Sequence, residues 1–311
     1  MKGAVWRIAQ VAIVLAVLLY VGFRIADQWT ELASIPQTLH PDYALLAASA
    51  VAVMVSYTVL IWTWQRTVMA WGESIGFSDA ARIWFVSNLG RFVPGKVWQI
   101  GAMGVMAQRA GVSPVAAVGS SLVIWVVNIL SGAAVAAALG SGSIDAPRWA
   151  IALAVLAGAG LIAAPWIIPH VAGIASTLLR RDIRVPALPH SAVWIAGAGC
   201  AVAWILYGIA FRWLHIALIG HATGNLAGST SAFTLSYLAG LLALPVPGGL
   251  GVREGFLHTF LGTTGIAFGA EAWLIVLGSR LWLTILEVLP GVLLLLVGKR
   301  KAAISPSAPI E

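Results

Sequence analysis

"LPVPGGLGVREG", residues 244–255, interrupts an overwhelmingly apolar chain with prolines, glycines, an arginine and a glutamate. What it interrupts follows from composition. Of 311 residues, 60% are hydrophobic and only 9% charged, with a mean hydropathy of +0.94. A soluble domain of this size carries roughly 25% charged residues. With so few, the chain cannot cover a water-exposed surface, and it reads as an integral membrane protein. The net charge of +7 is assigned to cytoplasmic loops and anionic lipid rather than to nucleic acid. The single Cys200 lies in an apolar run, which leaves no disulfide framework and no cysteine-based zinc site.

A spanning helix needs about 20 mostly apolar residues. The runs 4–23, 43–64, 115–139, 149–168, 192–218 and 272–297 qualify, the first as a retained helix rather than a cleaved signal. Two further regions, 78–111 and 229–262, are apolar but broken by Pro94-Gly95 and Pro247-Gly248. The apolar piece on either side is about 12–16 residues, or roughly 18–24 Å of helix. That falls short of a hydrocarbon core about 30 Å thick. Proline removes a backbone donor and glycine permits a sharp turn, so each region is expected to be a re-entrant pair of half-helices. The alternative is an ordinary span with a Pro-Gly kink.

Loop charge favours the hairpins. With the N-terminus in the cytoplasm, Lys2, Arg7, Arg66, Arg82, Arg109, Arg180, Arg181, Arg184, Lys299, Arg300 and Lys301 all fall inside, and only Arg24 and Arg148 fall outside. If both broken regions spanned fully, "RRDIR" (180–184) would be exported. The expected fold is therefore an all-α polytopic membrane bundle of about six full spans plus two re-entrant hairpins. Counting the hairpins as helices gives seven to eight. Residues 1–298 form one transmembrane domain and 299–311 a short, basic, disordered tail. The halves 43–139 and 192–297 repeat the same order in opposite orientation, with a weak echo between "SNLGRFVPG" (87–95) and "SYLAGLLALPVPGG" (236–249). Inverted repeats with interrupted helices mark many transporters, and the breaks point to the substrate site. At the second break Gly248 and Gly249 are expected to tolerate no side chain, whereas Gly265 in an outer loop should accept alanine.

"PVPGGLGVREG" (245–255) resembles the Pro-Gly-Gly-x-Gly-x-x-Glu signature of the lysylphosphatidylglycerol synthase transmembrane-region family, also described as flippase-like. "LGRFVPGKVWQ" (89–99) is similar to that family's upstream motif, a basic residue, then Pro-Gly, then an aromatic. The resemblance runs from about residue 10 to 297; Lys96 stands where many members have a small residue. It implies a protein of the bacterial cytoplasmic membrane, and the loop charges place both termini in the cytoplasm. Bifunctional members link this module, through which aminoacylated phospholipid is translocated, to a soluble synthase domain. No such domain is present in this sequence, so lipid translocation or binding is implied rather than aminoacyl transfer.

Ionisable residues at membrane depth face a cavity or one another. Arg91, Lys96, Arg212, Arg253 and Arg280 fall there, with Glu254 and Glu287. Guanidinium grips phosphate bidentately, and half-helix N-termini after Gly95 and Gly251 would add backbone donors. Arg91, Lys96, Arg253, Glu254, Arg280 and Glu287 are thus the candidate lipid-binding residues, and Pro94, Gly95, Pro247, Gly248, Gly249 and Gly251 the breakpoints. Against this, Arg253, Glu254, Arg280 and Glu287 would merely neutralise one another, Arg280 and Glu287 lying seven apart on one helix face. Asn88, Gln99, Ser87 and Ser236 either touch a polar headgroup or bond between helices.

Glu254 and His258 share a face but lack a third metal ligand. No phosphate loop, nucleophile elbow or HExxH is present, and no loop is long enough for a nucleotide-binding domain. The expectation is a non-enzymatic lipid transporter without cofactor, moving an anionic, aminoacylated or polyprenyl-linked lipid. One alternative is a lipid-binding accessory protein that scaffolds a membrane synthase or glycosyltransferase, and another is a membrane-embedded transferase using Glu254 and His258. A homo-oligomer or a partner synthase is compatible with any of these.

Overall fold

The structure, a computed structural model, describes residues 41–92, 97–140, scattered positions between 152 and 166, 189–243 and 246–304. Every regular element among them is helical. The order is α1 (Tyr43–Met69), α2 (Phe77–Asn88), a 3-10 turn (Leu89–Phe92), α3 (Val97–Arg109) and α4 (Pro114–Gly140). It continues with α5 (His190–Ile219), α6 (Leu226–Leu242), a second 3-10 turn (Pro247–Gly249), α7 (Val252–Thr263) and α8 (Gly269–Ile304). A long helix, two short helices about a turn and a long helix thus occur twice.

Four helices are long and apolar enough to cross a membrane: α1, α4 from Ala116, α5, and α8 as far as Leu296. They match the runs 43–64, 115–139, 192–218 and 272–297. The run 4–23 lies outside the described residues, as do most of 149–168, the first break at Pro94-Gly95 and the loop 180–184. α8 continues through Lys299, Arg300 and Lys301 to Ile304, where the sequence suggests a disordered tail. Lysine and arginine are good helix formers.

The helices are apolar on the outside and finely packed within. On α4, Val118, Leu122 and Val126 are exposed, while Ala117, Ser120, Ser121, Val127 and Ser131 are buried. Where lipid rather than water surrounds a bundle, association depends on close packing and interhelical hydrogen bonds. The α1–α5 pair is built that way: Ser49 and Ser56, seven apart, donate to the carbonyls of Ala210 and Ala203, both at 2.8 Å. Trp64 Nε1 donates to Ser120 Oγ on α4 at 3.1 Å, and Trp282 Nε1 on α8 donates to Ser49 Oγ at 3.2 Å.

α1 begins at Asp42, whose Oδ1 accepts from the N–H groups of Ala44 and Leu45. Asp42→Ala should cost about 1 kcal/mol, as N-cap removal typically does. Thermal unfolding in detergent measures it, and an unchanged midpoint would mean that the cap is dispensable.

The second break explains its own sequence. Gly248, Gly249 and Gly251 hold φ of 58°, 67° and 77°, a region that side chains disfavour. A Cβ on Gly249 would stand 2.5 Å from the Gly240 carbonyl oxygen, and one on Gly240 would stand 2.8 Å from Arg253 Cβ. α6 and α7 therefore pack on each other through glycine, and that contact sets the place of Arg253. Gly265 is less tolerant than the sequence suggests, because it too holds a positive φ, 67°. Gly255, with open space around its Cβ position and no such φ, is the neutral comparison.

Candidate functional site

The two 3-10 turns touch, and the first also meets α8. Residues far apart in sequence converge there. Arg91, from the first turn, directs Nη1 at both carboxylate oxygens of Glu287 on α8, 2.6 Å each. Its Nη2 donates to Tyr237 Oη on α6 at 2.8 Å. Arg280, two turns before Glu287, turns instead to the second break. Its Nη1 donates to the Gly248 carbonyl at 3.0 Å and lies 3.4 Å from Glu254 Oε1.

Glu254 serves the fold of that break. Its Oε2 accepts from the Gly251 N–H at 2.6 Å, the back-bond of a glutamate at the third helical position to the N-cap. The Gly251 donor, expected to be open to a ligand, is thus occupied by the protein's own carboxylate. Glu254 also does not line the cavity described below. Glu254→Gln should lower thermal stability by loosening the Arg280 contact while leaving anionic-lipid retention unchanged. Loss of lipid at unchanged stability would make Glu254 a ligand contact instead.

Arg253 is built differently. It is 6% exposed, and its guanidinium lies over the rings of Phe233 and Tyr237, 5.2 and 5.0 Å from their centroids. Nη2 is buried without a hydrogen-bond partner, and no carboxylate pairs with Arg253 among the described residues. Ring faces attract a cation but supply no hydrogen-bond acceptor in its plane. The side chain lines a cavity together with Arg91, Arg280, Tyr57, Tyr207 and Glu287. The chain matches no protein-family model, and no curated protein matches it.

An adjoining chamber shares Tyr57, Arg91, Gln99, Tyr207, Tyr237 and Glu287 with the first and extends toward Trp84, Trp125 and Asn128. The candidate residues Arg91, Arg253, Arg280 and Glu287 therefore meet at one cavity. Gln99 lines both chambers, and Asn88, to which it donates, lines the second. Ser87 and Ser236 bond to carbonyls of their own helices, Trp84 and Phe233. Arg212 stands apart, donating to the Gly224 carbonyl at 3.1 Å. Lys96, Pro94 and Gly95 lie outside the described residues, and Pro247 opens the second 3-10 turn. His258 stacks on Trp273, with ring centroids 4.5 Å apart. Among the described residues no three metal-ligating side chains gather.

The sequence does not point directly to the cavity's tyrosines, nor to Trp84, Trp125 and Asn128. Three of the chain's five tyrosines line the cavity, and an indirect signal for them exists. Tyr57 and Tyr207 fall in the middle of apolar runs, whereas membrane tyrosines concentrate at the interfaces. A mid-span phenol hydroxyl needs a polar neighbour or a cavity.

Proposed function

We propose that this protein is a membrane lipid transporter. It holds the phosphate of an anionic, aminoacylated or polyprenyl-linked lipid in the central cavity and moves the headgroup between leaflets without chemistry on it. The observation that carries the reading is Arg253, a buried guanidinium with no acid partner among the described residues, facing a cavity. A cation placed so at membrane depth is expensive unless a ligand anion or water completes it. Its position beside two touching 3-10 turns, each next to a short helix, fits the way secondary transporters build substrate sites.

In this reading the short helix pairs are re-entrant hairpins, the halves are an inverted repeat and six segments span fully. Both termini face the cytoplasm of a bacterium across its inner membrane. A lipid phosphate reaching Arg253 also comes within range of Arg91 and Arg280, both lining the same cavity. It competes with Glu287 for Arg91. Charge-assisted hydrogen bonds of this kind are each worth about 1.5–3 kcal/mol, enough to hold a headgroup yet release it.

The test is a leaflet assay in reconstituted vesicles with fluorescent phosphatidylglycerol. The wild type should equilibrate the label between leaflets, and Arg253→Gln should match protein-free vesicles. A wild type that retains anionic lipid but moves none would replace transport with the scaffolding role.

A further inference from the structure

The second chamber bears on which headgroup the site takes, an inference that rests on reading Arg253 as the phosphate contact. The charged side chains lining that chamber are Arg91 and Glu287, and they are bonded to each other. The rest of its polar surface is neutral. Trp84 Nε1 is buried there without a hydrogen-bond partner. Asn128 spends its backbone carbonyl on Trp204 Nε1 and Ser131 Oγ, and its side-chain amide bonds to no other described residue. Trp125 adds a second indole, and Gln99 and Asn88 add a bonded pair of amides.

We propose that the ligand carries a neutral hydroxylated head, a sugar or cyclic polyol, joined to the phosphate that Arg253 holds. Hydroxyl groups donate and accept, so they satisfy an indole N–H and an amide side chain together, which neither a cation nor an alkyl group does. Indole faces suit the C–H faces of a saturated ring, and a few convergent polar groups among apolar walls fix its orientation. A cationic aminoacyl head fits poorly. Its ammonium would need a free carboxylate, and Glu287 is committed to Arg91. A bare phosphate would leave Trp84 Nε1 unpaired, a cost that buried polar groups rarely carry.

The experiment is native mass spectrometry of the full chain in detergent, titrated with phosphatidic acid, phosphatidylinositol and lysylphosphatidylglycerol. Inositol 1-phosphate serves as a soluble competitor. Phosphatidylinositol should bind about tenfold tighter than phosphatidic acid, the equivalent of two ordinary hydrogen bonds. Lysylphosphatidylglycerol should gain nothing from its head. Trp84→Phe and Asn128→Leu should each bring the ratio of phosphatidylinositol to phosphatidic acid down toward one. Displacement by inositol 1-phosphate would assign the site to a soluble phosphate ester, and its failure to compete would assign it to the lipid.

Equal binding of the inositol lipid and phosphatidic acid, with Arg253→Gln weakening both, would overturn the neutral-head inference and leave the anion site standing. A preference for the lysyl head would also overturn it. Binding of all three lipids unaffected by Arg253→Gln would overturn the anion site itself.

Discussion

Gly249→Leu should yield no folded protein. The residue holds φ 67°, which costs a non-glycine side chain about 1–3 kcal/mol on its own. Its Cβ would also press on backbone atoms of Gly240 at 2.5–2.8 Å. Backbone cannot swing aside as a flexible side chain can, so α6 and α7 must separate, and Arg253 leaves its place over Phe233 and Tyr237. Gly255→Ala, on the same short helix with open space around it, should be neutral or slightly stabilising, since alanine is the better helix former. Size-exclusion profiles in detergent distinguish the two. Monodisperse Gly249→Leu protein with a wild-type melting point would mean that the break is an ordinary kink.

Glu287→Gln should destabilise almost as strongly. The carboxylate is 5% exposed and accepts from Arg91 through both oxygens. Removing its charge leaves the Arg91 guanidinium uncompensated, at about 3 kcal/mol for a buried pair. Arg91→Met/Glu287→Leu, which removes both charges, should recover most of that loss. A thermal double-mutant cycle measures the coupling. Additive single effects would mean that the pair does not hold the first turn to α8.

The break at Pro247-Gly248 and the helices at 43–64, 115–139, 192–218 and 272–297 were legible because they depend on local properties. Length, hydropathy, proline and glycine act on the chain where they stand. Partner choice was not legible. The sequence allows Arg253, Glu254, Arg280 and Glu287 to neutralise one another without saying which meets which, and spacing puts Arg280 and Glu287 on one helix face. In the fold Arg280 meets Glu254, while Glu287 takes Arg91, 196 residues away in sequence. Helix spacing fixes which way a side chain faces, and only the packing of α2, α6, α7 and α8 fixes what it meets. Glu254 shows the same limit from the other side. Its place three residues after Gly251 is that of a capping glutamate, yet a carboxylate within an apolar stretch equally suggests a ligand contact.

Arg253 carries the central claim, and lipid retention tests it most directly. Wild type and Arg253→Gln, each purified in mild detergent and titrated with phosphatidylglycerol, should differ in affinity by roughly ten- to a hundredfold, the worth of one charge-assisted hydrogen bond. Their melting points should stay close, because Arg253 has no acid partner among the described residues to abandon. Equal phosphatidylglycerol binding by the two proteins would contradict the account.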